Sequence, residues 1–293
     1  LKVRFWGTRG SIATPGAETN KYGGNTSCLE VSDGSERVFI FDAGTGIRKL
    51  GLDLARRKAK EIHLFISHTH WDHIQGFPFF TPAYIPGVNI HIYGPKHYEK
   101  TLRHIMDLQM DYAYFPISMQ QLNAKISYSD LQETELQFGD TKILAKYANH
   151  PVTGLCYKVI HQGKSLVYSG DMEPFYNVLG DAPADDVLGA PDEDINEIVK
   201  ERNQHHQEFC RSDLLIHDAQ YTEKEYEKVR GWGHSPMEAV LRMAQEGGVK
   251  KTVLTHHDPD RTDAQLDQIE TNLRTQFSSL DFVISQEGME LEV

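Results

Sequence analysis

Short apolar runs punctuated by glycine, proline, asparagine and aspartate recur along the chain, separated by stretches with helical spacing. Lys2-Val3-Arg4-Phe5-Trp6 alternates as a half-buried first strand and turns out at Gly7-Thr8-Arg9-Gly10-Ser11. Loop chemistry over 20–25 leads to a strand over 26–31, and Asp33-Gly34 marks a hairpin turn into a strand over 37–41. The glycines of Asp42-Ala43-Gly44-Thr45-Gly46 permit a tight turn into a helix predicted over 47–60. Ile62-His63-Leu64-Phe65-Ile66 is a buried strand, and 76–80 is an aromatic segment read as exposed. Further strands are expected over 89–93, 125–128, 134–138, 142–147, 155–160, 164–168, 214–216 and 252–255. Helices are expected over 96–110 and 264–276, and after Pro236, where Met237, Val240, Leu241 and Ala244 fall at buried spacing. A terminal hairpin, 282–284 with 289–292, is expected to close the sheet.

The strand over 62–66 delivers Ser67-His68-Thr69-His70-Trp71-Asp72-His73. Imidazole and carboxylate suit Zn²⁺, Mn²⁺ or Fe²⁺. Side chains two apart in extended chain point the same way, so His68 and His70 can grip one ion. If a helix follows, Asp72 and His73 emerge on another side and can reach a second. Crowding these groups at a strand end with nothing to satisfy them would be costly, so the stretch reads as a metal site.

His-x-His-x-Asp-His after a strand resembles the metallo-β-lactamase superfamily. The resemblance implies an α/β fold: an αββα sandwich of two mixed β-sheets flanked by helices, with a binuclear metal site at one edge. It implies that His150, after the strand over 142–147, completes the first ion's ligands with His68 and His70. It also implies that Asp171 in Ser169-Gly170-Asp171 bridges both ions, while Asp72, His73 and His256 hold the second. His256 follows the Leu254-Thr255 strand end, which favours it over His257. Asp42 is implied to buttress the metal loop, with a plain helix N-cap as the other reading. Asp258 is a candidate hydrogen-bond partner for a metal-bound imidazole.

His217-Asp218-Ala219, Gly233-His234-Ser235 and Leu254-Thr255-His256 resemble the phosphodiesterase branch, which includes ribonuclease Z and cyclic-phosphate phosphodiesterases. There an acidic residue and a histidine handle protons, and Asp218 and His234 stand in those places, with Asp for the longer Glu. Flavin-linked diiron relatives carry a glutamate where His70 stands, and the main zinc lactamases carry an arginine where His73 stands. The catalytic set implied is Asp72, Asp218 and His234, acting with a hydroxide held between two divalent ions, zinc first and manganese or iron as alternatives. Arg9 and Arg261 read as surface arginines, with phosphate contact as the other use. His205 and His206 read as surface residues because vicinal histidines on a helix diverge.

At 293 residues the chain is read as a single domain over 1–293 with an acidic insertion at about 174–211. Residues 181–201 carry eight acidic side chains against one lysine, Lys200, and turn helical towards 195–199. A net charge of −12 works against docking a nucleic-acid polymer but leaves a small anionic phosphodiester as substrate, because metal ions supply local positive charge. Three cysteines (Cys28, Cys156, Cys210) without paired spacing argue against a disulfide framework and fit a reducing, cytoplasmic compartment. No apolar stretch approaches membrane-spanning length and no signal-peptide pattern opens the sequence, although position 1 is Leu1 rather than Met, which leaves room for an upstream piece. The aromatic-rich 111–116 segment is open to substrate shaping or to a homodimer contact.

The function expected is a binuclear metal-dependent phosphodiesterase. Alternatives are a lactonase or thioesterase on the same fold, and a metal-bound sensor without activity. All of them require tightly held metal. Elemental analysis of carefully prepared protein is expected to show it; no transition metal, and no uptake on reconstitution, would leave the reading without a foundation.

Overall fold

The computed structural model describes residues 1–177 and 192–293. Strands β1 (Lys2–Gly7), β2 (Cys28–Ser32), β3 (Arg37–Phe41), β4 (Glu61–Phe65), β5 (Asn89–Pro95) and β6 (Lys125–Leu131) build one sheet. Strands β7 (Thr134–Phe138), β8 (Thr141–Ala148), β9 (Gly154–His161), β10 (Lys164–Tyr168), β11 (Leu214–Asp218), β12 (Lys251–Thr255) and β13 (Phe282–Ile284) build a second, in reverse chain order from β13 to β7. The last strand, β14 (Glu290–Glu292), returns to the first sheet and pairs antiparallel with β1.

Strict alternation along the strands gives each sheet two apolar faces. In β3, Phe39 and Phe41 face the opposite sheet, together with Phe65, Tyr157 and Ile216, while Val38 and Ile40 face outward with Leu50 and Leu54. Fully burying a phenylalanine side chain contributes about 1.5–3 kcal/mol, so this doubled pattern is a large share of what holds the layers together. Helices α1 (Ile47–Arg57) and α3 (Leu102–Gln109) cover the outer face of the first sheet. The outer face of the second is covered by α4 (Asp192–Cys210), α6 (Met237–Gly247) and α7 (Asp263–Gln276). Short helices α2 (Trp71–Ile74) and α5 (Glu223–Val229) lie outside these layers. The αββα sandwich expected from the sequence is what the chain adopts.

Helix ends follow local chemistry. Helix α1 stops at Lys58, which takes the left-handed conformation (φ 57°) after Arg56 and Arg57. Helix α3 starts later than expected because Thr101 caps it, its Oγ1 accepting from the His104 amide. The aromatic segment is less exposed than expected, since Phe77 and Phe80 are fully buried against α1 and only Phe79 is exposed.

The expected terminal hairpin does not form. Strand β13 pairs parallel with β12 after the α7 crossover, whereas β14 belongs to the other sheet. The turn between them crosses the sandwich edge, with Glu287 N–H donating to Tyr22 O and Gly288 N–H to Phe5 O. Of the insertion, 178–191 lie outside the described residues; α4 extends well beyond the helical turn expected near 195–199.

Parallel pairing places strand ends together. Strands β10, β11 and β12 run parallel, and β8 is antiparallel to β9, which is antiparallel to β10, so the C-terminal ends of β8, β10, β11 and β12 share one edge. Arg9 fastens loops at that edge. It is fully buried, not a surface residue and not turned to a ligand: Nε and Nη2 donate to Gly23 O, and Nη1 donates to Asp258 O and Arg261 O. Arg261 is likewise buried and donates to Gln220 O and to the Glu225 carboxylate. Among the described residues no helix is long and apolar enough to cross a membrane.

Arg9→Met keeps the stem but strands three carbonyls. It is expected to lower unfolding free energy by about 3 kcal/mol or more, read by urea titration; a change under about 1 kcal/mol would contradict this account.

Candidate metal centre

After Phe65 the chain leaves the sheet extended through His70 (φ −64°, ψ 152°) and then enters α2, so Asp72 and His73 swing to a different side from His68 and His70. The turn is clamped from below. Ala43 N–H donates to His73 O and Gly76 N–H to Ala43 O. Asp42, held at φ 64°, accepts from Ser67 N (2.7 Å), Ser67 Oγ (2.8 Å), Tyr168 Oη (2.6 Å) and His73 Nδ1 (2.7 Å). It is therefore not a helix N-cap: Gly46 holds that position for α1.

Two ligand groups converge around one carboxylate. His68, His70, His150 and Asp171 form the first, and Asp72, His73, His256 and Asp171 the second. Asp171 Oδ2 lies 3.4 Å from His68 Nε2, while Oδ1 lies 3.1 Å from both His73 Nε2 and His256 Nε2. His70 Nδ1 and His150 Nε2 are 3.2 Å apart, as are His73 Nε2 and His256 Nε2. A tetrahedral zinc ion with Zn–N bonds of about 2.05 Å sets its nitrogen ligands about 3.3 Å apart. His68 Nε2 and Asp171 Oδ1 are buried without any hydrogen-bond partner. Orphaned buried acceptors aimed at a common space are costly unless a cation satisfies them, so these residues fit divalent metal.

Most of these groups are held in the form a metal binds; His73 is the exception, raised well above its ordinary value by Asp171, Asp72 and Asp42 against its burial, so it would release a proton to a bound ion. Burial, then the neighbouring His73, holds His68 well below its ordinary value; burial likewise lowers His70 and His150. Asp171 lies well below the carboxylate range because His256, His73 and His68 outweigh its burial, and Asp72 is lowered by His73 and His256 against its own burial. Neutral imidazoles and ionised carboxylates are the forms a metal binds.

Each ligand ring is also held from behind. His150 Nδ1 donates to Gly233 O at 2.9 Å, and Gly233 (φ 90°) is required there, since a Cβ would fall 2.2 Å from His150 Nδ1. His256 Nδ1 lies 3.1 Å from Gln220 Oε1, and Asp72 Oδ2 accepts from Ser11 N at 2.8 Å. Gln220, and not Asp258, therefore orients His256; the Asp258 side chain accepts from the Asp260 amide instead. His257 turns the other way, into Ser285 O at 2.9 Å, so the strand end brings His256 to the cluster.

His234 Nδ1 meets Asp218 Oδ2 at 3.1 Å, and the shorter aspartate does reach. Burial pulls His234 down, but the Asp218 charge and hydrogen bond outweigh it and push it up to about 9. Glu173 accepts from Tyr226 Oη and from the amides of Gly231 and Gly233, shaping the loop that carries His234. Glu173, Gln220 and Tyr168 were not singled out in the sequence; a polar residue at or shortly after a strand end was the signal each offered. His205 is exposed as expected, whereas His206 packs its Nε2 3.1 Å from His217 Nε2.

A match to the Beta-lactamase superfamily domain spans residues 37–189, just over half of the chain. The chain belongs to the β-lactamase superfamily. Ribonuclease Z of Staphylococcus epidermidis is 22% identical over 292 residues, with 87% of this chain and 88% of that protein covered. The metallo-β-lactamase fold protein YhfI of Bacillus subtilis superposes with a TM-score of 0.68 at 20% identity, covering 99% of both chains. A diphosphatase from the PhnP family superposes with a TM-score of 0.65 at 17% identity, covering 100% of this chain and 97% of that one. These structures share the superfamily's fold with this chain.

In this superfamily member Asp42 touches no candidate ion yet fixes both His73 and Ser67. Asp42→Asn is expected to weaken retention of divalent metal about 10–100-fold, measured by competition with a chelating dye; unchanged retention in folded protein would remove Asp42 from the centre.

Proposed function

We propose that the chain is a metal-dependent hydrolase of small or cyclic phosphodiesters that uses two divalent ions, zinc first. The observation that carries this reading is Asp171, whose two oxygens face two separate ligand groups, beside a histidine–carboxylate pair at 3.1 Å. His68, His70 and His150 would hold one ion, Asp72, His73 and His256 the other, and Asp171 both. Bound there, divalent metal lowers the pKa of water towards neutrality and neutralises charge growing on phosphoryl oxygens.

The protein's own residues supply the rest. Asp218 takes the Nδ1 proton of His234 in a hydrogen bond and so fixes the ring's orientation. With its value near 9, His234 is protonated at neutral pH and can give the Nε2 proton to a departing oxygen. Glu173 keeps His234 in place by fixing Gly231 and Gly233. Asp72, held by Ser11 N, sits at the reaction centre as well as among the ligands.

The surroundings of the centre favour a small substrate. A cavity of about 480 Å³ lies beside His150, walled by Pro151, Glu173, Phe175 and, from α4, Ile198 and Arg202. Trp71 and Trp232, each within two residues of a candidate site residue, are 80% and 64% exposed and offer flat apolar faces. The ribonuclease Z and diphosphatase relatives support phosphate-ester chemistry, and the −12 net charge favours a small substrate over a polyanion.

Metal-loaded protein is expected to hydrolyse bis-p-nitrophenyl phosphate, and His234→Ala to lower kcat roughly 10²–10⁴-fold. Turnover of a lactone or thioester with none of the phosphodiester, and indifference to the His234 change, would reassign the bond cleaved. Cleavage of a precursor tRNA at higher kcat/KM than cyclic phosphodiesters would overturn the small-substrate reading.

A further inference from the structure

His206, Cys210 and His217 bring two imidazoles and one thiol together away from the Asp171 centre, with their ligand atoms all within 4.8 Å of one another. His206 and Cys210 are four apart on α4 and so share one helix face, and His217 comes from the adjoining strand β11. His206 Nε2 lies 3.1 Å from His217 Nε2 and 3.3 Å from Cys210 Sγ. A tetrahedral zinc site with ordinary bond lengths sets nitrogens about 3.3 Å apart, and nitrogen and sulfur about 3.6 Å apart. Those two separations, both measured from His206, are within a few tenths of an ångström of these values, and the His217–Cys210 pair lies within 4.8 Å.

The donor set is also prepared for a cation. His217 Nδ1 donates to Asp218 O at 2.7 Å, which fixes the tautomer and leaves Nε2 with its lone pair directed at His206. Burial pushes His206 down to about 3 and lowers His217, so both rings are neutral at physiological pH. Burial raises the Cys210 thiol, which would ionise only against a cation. No carboxylate belongs to this cluster, and two nitrogens with one sulfur suit a borderline-soft ion. The two histidines line a cavity of about 440 Å³, together with Met172, Asn203, Gln207 and Met243, so water or a small ligand has space beside the cluster to complete a ligand set.

We propose that His206, Cys210 and His217 form a separate zinc-type site that staples α4 to strand β11. Its position gives it a consequence. Helix α4 walls the cavity beside His150, and β11 ends in Asp218, the partner of His234. An ion here fixes the insertion's helix to the strand that carries that carboxylate. The site's existence does not depend on the bond the Asp171 centre cleaves.

The Asp171 centre contains no sulfur, so sulfur ligation reports this site alone. Full-length protein reconstituted with Co²⁺ is expected to show a near-ultraviolet thiolate-to-cobalt charge-transfer band. Cys210→Ser should abolish that band and lower bound metal by one ion per chain, while Cys156→Ser, at a neighbouring buried cysteine, retains both. Zinc-edge X-ray absorption of the unaltered, zinc-loaded protein gives a reading that needs no variant, with a sulfur scatterer at about 2.3 Å expected. A purely nitrogen and oxygen shell, or a cobalt band that survives Cys210→Ser, would overturn the proposal and leave a hydrogen-bonded cluster.

Discussion

Four carboxylates, Asp42, Asp72, Asp171 and Asp218, are buried at one edge of the sandwich. Buried anions are tolerated only when paired and hydrogen-bonded, and this requirement governs the architecture around them. Asp42 is satisfied entirely by protein donors, from Ser67, Tyr168 and His73. Asp218 binds His234 and the Met172 amide. Asp171 and Asp218 each keep one oxygen without a hydrogen-bond partner, and that of Asp171 lies 3.1 Å from both His73 Nε2 and His256 Nε2.

The fold meets the requirement by parallel pairing. Because β10, β11 and β12 run the same way, Asp171, Asp218 and His256 leave the sheet on the same side. The extended-then-helical turn after β4 brings four more candidate ligands from the other sheet. The rigid part lies beneath, where Asp42 and Arg9 tie loops distant in sequence. Each candidate ligand therefore rests on a strand end or on a loop fixed by buried hydrogen bonds, which keeps its geometry from drifting.

The acidic segment over 174–211, read from the sequence as an insertion, does more than carry charge. Its helix α4 lines the cavity beside His150 with one part and meets β11 with another, through His206 against His217 and with Cys210 in the same buried cluster as Leu215. The acidic content that dominates its sequence conceals these contacts, because composition reports the solvated face and says little about the face that packs.

The strands were legible because short apolar runs bounded by turn residues survive without any partner in view, as in residues 37–41, whereas the αββα layering was implied by the resemblance of the ligand run to the superfamily. The first ligand run was legible because its chemistry is concentrated in one strand end. Other features depended on contacts between residues far apart in the chain. Arg9 looked like a surface arginine until three carbonyls from two loops closed around it. His206 looked like a helix-surface histidine until β11 lay against it. The terminal strands looked like a hairpin, yet the partners that claim β13 and β14, namely β12 and β1, sit in opposite sheets. Local periodicity determined which residues are strand and helix, while the chemistry of one crowded run and the resemblance it carries marked the candidate ligands; hydrogen-bond satisfaction across the assembled layers decided which buried polar groups support the structure and which remain free for an ion.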